Sequence, residues 1–394
     1  MNLEKKNIAG GLLTIYRAKI NRLANKPIKP KVLAYSVTWR CNAGCSMCGL
    51  LTMDNSLKDA NQELTSYQIE NAFGDKNLHS LDLIRFTGGE PFLKNDFTEI
   101  VHQIWEKAKP KLFYITTNGI FTDRIKNFVK SFQGRDIKLS IQVSLDAVND
   151  THDKTRGVPG MADKAIETLE MLAALKRTVP VNIGINQTIT KENINEIEPV
   201  NQLAKKMGIG HKVYVAVTPH ESEILSQGKK YPEIKLVGHY TEDEIKQLYE
   251  KIENIMERDQ ESKDFSNINY IWHLVEKFLR EGERKRILRE PGIMNLPCLA
   301  GFLYLRLLPN GDIMPCTILS EIMGNIKEKS FSEIWHSEKA DSIRNKVKRC
   351  RGCWVECDIV SNFVYSDFIL KHFFRNVRDA MKKKCSSLFI IKNG

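Results

Sequence analysis

Three cysteines within eight residues are the positions of this chain best suited to chemistry. Cys41, Cys45 and Cys48 follow directly on a strand-like segment that ends at Arg40. Three thiolates can bind three irons of a four-iron cluster, and because no fourth cysteine follows nearby, the fourth iron would keep an open position. An open iron indicates catalysis, whereas a fully ligated cluster serves structure or electron transfer.

Structural zinc is the alternative for this triplet. Zinc takes four ligands, usually from paired Cys-x2-Cys knuckles. A gap of three residues followed by a gap of two does not form two such knuckles. The pattern therefore favours an iron–sulfur cluster.

The triplet resembles the signature of the radical S-adenosylmethionine (radical SAM) enzymes. The resemblance implies that the open iron holds the amino and carboxyl groups of S-adenosylmethionine, whose reduction releases a 5'-deoxyadenosyl radical. The chain departs from the family at Met47, where an aromatic residue usually packs on the adenine. A thioether can fill the same apolar gap, so Met47 stays a candidate for that contact.

A glycine pair followed by a carboxylate ends the second predicted strand. Gly88, Gly89 and Glu90 lie about forty residues after the triplet. Glycines let a backbone approach a ligand closely, and a carboxylate accepts hydrogen bonds from an ammonium group. The resemblance implies that this motif holds the methionine amino group; a simple turn is the alternative.

Polar residues also follow the third and fourth predicted strands. Asn118, Ser144 and Asp146 stand where α/β folds bind ligands. The resemblance implies that Ser144 and Asp146 contact the cosubstrate and that Arg156 pairs with its carboxylate, a task suited to a planar guanidinium. For Asp153, a helix cap or a bond to Arg156 is equally open. Weaker candidates are Asn186, Gln187 and Thr188, with residues 213–217 as backbone contacts to adenine.

A second group of cysteines occupies residues 298–357. Its order resembles the auxiliary-cluster domain called SPASM, or the shortened form called twitch. The simplest assignment is one four-iron cluster held by four thiolates, and two clusters are disfavoured because a full SPASM domain carries seven cysteines. Zinc remains the alternative here, since four thiolates with a Cys-x2-Cys pair also suit it. The proposed ligands are Cys298, Cys316, Cys350 and Cys353, with Cys357 competing for a place or leaving a vacancy for substrate.

Two neighbours of this group refine the prediction. Asn310-Gly311 is typical of a hairpin turn and would place Cys316 on the returning strand. Sulfatase-maturing members of the family carry an acidic base where this chain has Thr317, so sulfatase maturation is disfavoured. Cys385, in a lysine-rich tail, is expected to be free.

Alternation of strand-like and helix-like segments predicts an α/β fold with a parallel sheet. The resemblance implies a partial (β/α)6 barrel of the radical SAM type with a small C-terminal auxiliary-cluster domain. The predicted strands are 33–40, 81–87, 112–117, 139–145, 181–189 and 212–217, and the predicted helices 66–73, 98–108, 124–132, 162–175, 197–207 and 241–259. The predicted divisions are an extension (1–31), the barrel (32–220), a helical connector (221–296), the auxiliary domain (297–360) and a tail (361–394).

Charge is concentrated at the two ends of the chain. The net charge is +11 over 394 residues, yet residues 1–31 carry eight Lys or Arg against one acid and residues 371–394 seven against one. The near-neutral body gives no electrostatic support for nucleic acid binding. No apolar run reaches the length of a membrane span, which predicts a cytoplasmic protein.

Both basic ends are amphipathic in pattern and could contact an anionic membrane; the alternative is that they pack on the barrel with lysines outward. The apolar positions are Ile8, Leu12, Ile15, Tyr16, Ile20 and Leu23 at one end, and Phe373, Phe374, Val377 and Met381 at the other.

The resulting hypothesis is a radical SAM enzyme that abstracts hydrogen from a peptide or small-metabolite substrate. The auxiliary cluster would aid electron transfer or substrate binding, and a flavodoxin or ferredoxin would supply electrons. The short N-terminal extension disfavours ribosomal-peptide maturation. A lipid or lipid-linked substrate is the second hypothesis, and a non-catalytic iron–sulfur carrier or sensor the third.

Overall fold

The computed structural model of the protein describes residues 2–218, 235–259, 268–291, 296–350, 353 and 355–367. Within these, the side chains of residues 2–12, 268–271, 356 and 357 are not described. The predicted basic C-terminal helix and Cys385 therefore lie outside the described residues.

The described elements are numbered here in chain order. The strands are β1 Val32–Thr38, β2 Leu83–Gly88, β3 Leu112–Thr117, β4 Leu139–Ser144, β5 Val181–Ile189, β6 Gly210–Val215, β7 Val217–Thr218, β8 Lys235–Leu236, β9 Tyr304–Leu307, β10 Asp312–Met314 and β11 Gly324–Asn325. The helices are α1 Asn2–Leu23, α2 Ser66–Phe73, α3 Phe97–Ala108, α4 Thr122–Ser131, α5 Asp150–Arg156, α6 Met161–Leu175, α7 Ile197–Met207, α8 Glu242–Arg258, α9 Ile268–Ile287, α10 Phe331–Trp335, α11 Glu338–Lys348 and α12 Glu356–Val364.

Strands β1 to β6 form a parallel sheet in sequential order, as predicted. Each successive pair is joined by a segment that contains a helix, which is the usual crossover between parallel strands. Order and direction confirm the partial (β/α)6 barrel. The carboxyl ends of all six strands meet at one rim, where the predicted cosubstrate residues begin.

The two faces of this sheet differ in chemistry because successive side chains point to opposite sides. One face packs against the helices and is apolar: it carries Tyr35, Val37, Ile84, Phe86, Phe113, Ile115, Ile141, Val143, Ile183 and Ile185. The other face looks into the barrel lumen and is largely polar: it carries Ala34, Ser36, Arg85, Tyr114, Thr116, Gln142, Ser144, Asn186 and Lys212.

The C-terminal cysteine segment joins the same sheet. Strand β9 pairs in parallel with β1, and β10 and β11 extend the sheet beyond it in antiparallel fashion. The turn between β9 and β10 falls at Asn310 and Gly311, which confirms the predicted hairpin. One detail of that prediction is wrong: β10 ends at Met314, so Cys316 lies in the bend beyond the strand, since residues after 314 no longer pair with β9.

Helices α8 and α9 follow the barrel in the region predicted as a connector. Thr241 caps α8 by a reciprocal pair of hydrogen bonds with Glu244, near the start of the predicted helix. The apolar face of α8 packs beside Ile189 and Val215 of the last strands, so this helix covers the open edge of the barrel.

Helix α1 presents one face to the protein and another to solvent. Ile15 and Ala18 are buried, and Arg22 donates through Nε to the carbonyl of Cys298 at 2.9 Å. Four large apolar side chains on the opposite face are 45% to 67% exposed: Leu13, Tyr16, Ile20 and Leu23. The predicted single apolar stripe is therefore wrong, because Ile15 packs inward while Tyr16 and Ile20 face solvent. Among the described helices, none is both long and apolar enough to cross a bilayer.

Candidate active site

The cysteine triplet lies in the loop directly after β1 and is fixed from behind by α5. The backbone amides of Gly44 and Ser46 donate to the carbonyls of Arg156 and Thr155, each at 2.9 Å. Gly157, with φ of +70°, lets these segments approach: a Cβ there would lie 2.7 Å from the carbonyl oxygen of Gly44. The loop is thus held by main-chain contacts, which leaves the three thiols free of that task.

The three thiols lie close enough to influence one another. Burial raises the pKa of Cys41 to about 11, and the charges of Glu90, Cys45 and Cys48 add to this. Burial also raises the pKa of Cys48, with Cys45 contributing. Three thiolates are therefore unfavourable here without a positive centre, and a metal supplies one by binding the deprotonated form.

The Gly88-Gly89-Glu90 turn lies directly against the cysteine loop. Gly89 and Glu90 donate through their amides to the carbonyls of Thr38 and Arg40 at 2.7 and 3.0 Å. A Cβ would lie 2.3 Å from the Thr38 oxygen at Gly88 and 1.9 Å from the Arg40 oxygen at Gly89, so both positions require glycine. The motif is consequently more than a turn: it brings a carboxylate to the base of the cysteine loop.

Glu90 itself is 2% exposed and accepts three hydrogen bonds. Its Oε1 accepts from the amide of Phe92 at 3.0 Å and from Oγ1 of Thr117 at 2.7 Å, and its Oε2 accepts from the amide of Asn118 at 2.7 Å. Burial nevertheless raises the pKa of Glu90 to about 7. A carboxylate has about four acceptor sites, so Oε2 retains capacity for one further donor.

Asp146 and Arg156 form a buried bidentate ion pair. Arg156 donates through Nε to Oδ2 at 2.6 Å and through Nη2 to Oδ1 at 2.8 Å. Its third nitrogen, Nη1, lies 3.7 Å from Sγ of Cys45. Asp146 is fully buried and Oδ1 also accepts from the amide of Thr188, so this carboxylate orients the guanidinium towards the cysteines.

Of the two alternatives for Asp153, a helix cap or a bond to Arg156, the structure shows the helix cap. Its carboxylate accepts from the amides of Gly160 and Ala162 at 2.5 and 2.8 Å, at the start of α6. It therefore caps that helix, and Arg156 takes Asp146 as its partner.

The remaining predicted residues surround the same space. Met47 is 7% exposed and packs in a small cluster with Cys45 and Ala216, the residue that follows β6. Asn118 donates through Nδ2 to Oδ1 of Asn42 at 2.8 Å, which joins the third strand end to the cysteine loop. Ser144 is the last residue of β4 and lies opposite Asn186 of β5.

Sequence reasoning missed Glu63, a buried carboxylate next to the cysteine loop. It accepts from Oγ1 of Thr38 at 2.5 Å, from Nε and Nη2 of Arg40 at 3.1 Å each, and from Nζ of Lys94 at 3.3 Å. These contacts fix both sides of the loop, since Arg40 precedes Cys41 and Lys94 follows the Glu90 turn. An isolated glutamate in a loop gives no sequence signal for this role.

Gln187, a weak candidate from the sequence, proves to be part of the support for Asp146. It is fully buried and donates through Nε2 to the carbonyl of Asp146 at 2.9 Å. Its Oε1 lies 2.9 Å from Nε2 of His211, whose pKa is lowered to about 4 by burial. The neutral ring therefore donates to Gln187 and supports Asp146 from behind.

The cysteines of the second group also lie close to one another. A side-chain hydrogen bond to Cys350 and burial raise the pKa of Cys298, with Cys316 close by. Burial raises the pKa of Cys316, to which Asp358 and Cys353 contribute. Four thiols from separated stretches of chain thus meet in one buried place. The side chain of Cys357 lies outside the described residues.

The two groups stand at opposite ends of β1. The triplet follows the carboxyl end of β1, whereas Cys298 precedes β9 and Cys316 follows β10, both beside the amino end of β1. A seven-residue strand spans about 20 Å at roughly 3.3 Å per residue. The barrel lumen lies between the two groups.

Arg306 of β9 bridges this interval. It donates through Nη2 to Oγ of Ser36 on β1 at 3.2 Å and through Nη1 to Oγ1 of Thr317 at 3.1 Å. The amide of Thr317 donates to Oδ2 of Asp358 at 3.1 Å. Thr317 is therefore a structural link between the second cysteine group and the lumen.

The donor sets fit iron–sulfur clusters. In a cluster each thiolate binds a different iron, so the sulfurs stand further apart than the ligands of a single ion. Three thiols meet in the first group and four in the second, which is the donor chemistry that such clusters take.

Comparison with known families adds direct evidence. The model of the radical SAM superfamily matches residues 35–204, and the model of the SPASM iron–sulfur cluster-binding domain matches residues 298–354. This chain belongs to the radical SAM superfamily. The radical SAM enzyme with a C-terminal SPASM domain that the sequence predicted is thereby confirmed, with S-adenosylmethionine and iron–sulfur clusters as its cofactors.

Similar enzymes of known activity cover most of the chain. This chain is 26% identical to the AdoMet-dependent heme synthase of Methanosarcina barkeri, and the match covers 82% of this chain and 91% of that protein. It is 24% identical to the sporulation killing factor maturation protein SkfB of Bacillus subtilis over 80% of this chain and 67% of that protein. Streptococcus suis SuiB bound to its precursor peptide SuiA shares the fold, with a TM-score of 0.57 and 17% identity over 84% of this chain and 70% of SuiB.

Proposed function

We propose that this radical SAM enzyme abstracts hydrogen from a carbon of a peptide or small metabolite held in the barrel lumen. The observation that supports this most is the position of the two cysteine groups at opposite ends of β1, with a polar lumen between them. Relatives are named as a heme synthase and as a maturation protein, and the structural neighbour SuiB is bound to a precursor peptide. A substrate in the lumen would lie within reach of both groups.

Cys41, Cys45 and Cys48 are the proposed ligands of the cluster that binds S-adenosylmethionine. When bound and reduced, that cluster supplies the electron that splits the cosubstrate into methionine and the radical that removes hydrogen. Cys298, Cys316, Cys350 and Cys353 are the proposed auxiliary ligands, with Cys357 as the competing one.

The cosubstrate would be held by the residues that surround the triplet. Oε2 of Glu90 has the remaining acceptor site for the methionine ammonium, and Nη1 of Arg156 is the donor for its carboxylate. The sequence implied direct contact by Asp146. Because Asp146 forms the buried bidentate pair with Arg156, we assign it the orientation of that guanidinium instead. The adenine and ribose contacts are assigned to Met47, Asn118 and Ser144, with the backbones of Gly88 and Gly89 beside them.

Anaerobic reconstitution followed by assay of 5'-deoxyadenosine tests this proposal. With dithionite as reductant, wild-type protein is expected to release 5'-deoxyadenosine, and a Cys41→Ala/Cys45→Ala/Cys48→Ala variant is expected to release none. Cys385→Ala is the matched control, because it removes a thiol outside both groups. Absence of product from wild-type protein with full iron content would contradict the proposal and favour an electron carrier.

The physiological reductant is proposed to be a flavodoxin or ferredoxin, since the cosubstrate must receive one electron at a time. Reduced flavodoxin in place of dithionite should support product formation. If neither protein donor supports turnover while dithionite does, this assignment is wrong.

A contact with the membrane surface is favoured by helix α1. Its exposed apolar face, Leu13, Tyr16, Ile20 and Leu23, lies in a segment with eight cationic residues and one acidic residue, which suits an anionic bilayer. Flotation with vesicles of phosphatidylglycerol should carry the protein upward at low salt. A Tyr16→Ser/Ile20→Ser variant should float less, and a protein that stays at the bottom at low salt would exclude this contact.

A further inference from the structure

Cationic side chains occupy the lumen face of three strands. The strand register places Ala34 of β1 between Arg85 of β2 and Arg306 of β9. The small side chain of Ala34 leaves room above β1 for the two guanidinium groups. On the far side of the sheet, Lys212 of β6 lies opposite Asn186 and shares the lumen face.

The ring of Tyr114 connects two of these cations across the lumen. Cζ of Arg85 lies 5.3 Å from the ring centroid, and Nζ of Lys212 lies 5.9 Å from it. The Lys212 ammonium thus faces an aromatic ring. A cation–π contact at these distances is weaker than a charge-assisted hydrogen bond to a carboxylate or phosphate, so an anion would displace it favourably.

Lys212 is also within reach of a ligand. It lines a cavity of about 240 Å³ between the last strand and helices α8 and α9. Trp272, His273 and Arg280 line the same cavity, and Cζ of Arg280 lies 5.9 Å from the centroid of the Tyr214 ring on the lumen face. The cavity therefore adjoins the lumen at the open edge of the barrel.

Asp358 lies near the arginines at the other end. Its carboxylate lies close enough to interact with the charges of both Arg306 and Arg85. It lies beside the auxiliary cysteines, so it faces the arginines and not Lys212. Asp259, already paired with Lys205 and Arg258, and Glu276 line the same cavity as Lys212. The anion would therefore be bound on the lumen side, where the Lys212 ammonium faces the Tyr114 ring.

We propose that the substrate carries anionic groups, carboxylates or phosphates, and that Lys212 and Arg85, with Arg306 beside them, bind these groups in the lumen. This deepens the proposed function, because it names the chemical class of the substrate of the same site. The anchored anion would fix the orientation of the substrate relative to the cosubstrate at the carboxyl rim.

Isothermal titration of the reconstituted holoenzyme with four probes tests this. Succinate, citrate and inorganic phosphate carry the expected charge, and succinamide is the neutral counterpart of succinate. Binding of at least one anion and none of succinamide is expected. Lys212→Gln and Arg85→Gln should each weaken anion binding at least tenfold, whereas Lys212→Arg should retain it. Lys111→Gln, at a lysine 76% exposed on the outside, should bind as the wild type does.

The outcomes separate the possibilities. Tighter binding of citrate or succinate assigns carboxylates, and tighter binding of phosphate assigns a phosphoryl group. Equal binding of succinate and succinamide, or wild-type affinity in both Gln variants, would overturn the inference. If wild-type protein forms 5'-deoxyadenosine yet binds no anion, this inference alone is wrong; if it binds anions and forms none, the proposed function is wrong and the anion site stands.

Discussion

The raised pKa of Glu90 predicts that S-adenosylmethionine binding weakens as the pH falls below 7. The carboxylate is buried among three donors, and its pKa of about 7 lies well above the ordinary value of 4.5. The methionine ammonium interacts favourably with the ionised form, whereas the protonated form offers no charge. The cosubstrate must therefore displace a proton at low pH.

The magnitude follows from the ionised fraction. With a pKa of about 7, about half of Glu90 is ionised at pH 7 and about one eleventh at pH 6. The Kd should then rise about fivefold over this interval, while the ammonium of the cosubstrate stays protonated. Glu90→Gln should bind about ten- to a hundredfold more weakly, since a hydrogen bond to a charged group contributes about 1.5–3 kcal/mol. It should also lose the pH dependence.

Titration of reconstituted protein with S-adenosylmethionine at pH 6.0, 6.5 and 7.0 measures both effects. Glu106→Gln, which neutralises an exposed glutamate on α3, is the control and should match the wild type. A wild-type Kd that stays constant from pH 7 to pH 6, or a pH dependence that survives in Glu90→Gln, would refute the reasoning.

The raised pKa of Glu90 also makes the free energy of unfolding depend on pH. Because the folded pKa of Glu90 is raised, its contribution to the free energy of unfolding is fully present below pH 4.5 and is lost as the pH rises to about 7. The loss amounts to about 3 kcal/mol over that window. In Glu90→Gln this component of the pH dependence of urea unfolding should disappear.

Three further perturbations have definite expectations. Gly89→Ala should abolish cosubstrate binding, because its Cβ would meet a backbone oxygen at 1.9 Å, whereas Gly44→Ala has only an ordinary side-chain contact at 3.8 Å and should bind nearly as the wild type in the same titration. Glu63→Gln should lower the free energy of unfolding by about 2 kcal/mol, measured by urea denaturation, since it removes charged hydrogen bonds to Arg40 and to Lys94, which keeps Asp96 as a partner; an unchanged midpoint would contradict this. Cys316→Ala should lower the iron content from about eight to about four per chain, while Cys385→Ala should keep the wild-type value.

Local pattern predicted the barrel well because each strand carries its own signal. The alternation of buried apolar and lumen-facing residues places β3 and β5 at the predicted bounds, and helices α2 and α7 also match. The glycine pair was also predicted from the sequence. The structure shows why glycine is needed there: at Gly88 and Gly89 the backbone at the end of β1 lies too close for any side chain.

Contacts between distant segments were not predictable in this way. Glu63 and Asp146 take their roles from partners that the fold brings together, such as Arg40, Lys94 and Arg156. A single sequence shows neither the pairing of two strands far apart in the chain nor which carboxylate a buried arginine selects. The cysteine groups were predicted because the spacing of ligands is a local feature of the sequence. Their arrangement at opposite ends of β1 was not predicted, because it depends on the pairing of β1 with β9.

The parallel pairing of β1 with β9 has a consequence for biosynthesis. Until the ribosome has made Tyr304–Leu307, β1 remains an edge strand with unpaired backbone groups, although β2 to β6 are already complete. At 5–20 residues per second, the roughly ninety residues between β6 and β9 leave that edge open for about five to twenty seconds. The sheet beside the strand that leads into the cysteine loop is thus complete only after most of the chain has emerged, whereas the loop's contacts with α5 and Glu63 come from segments made long before.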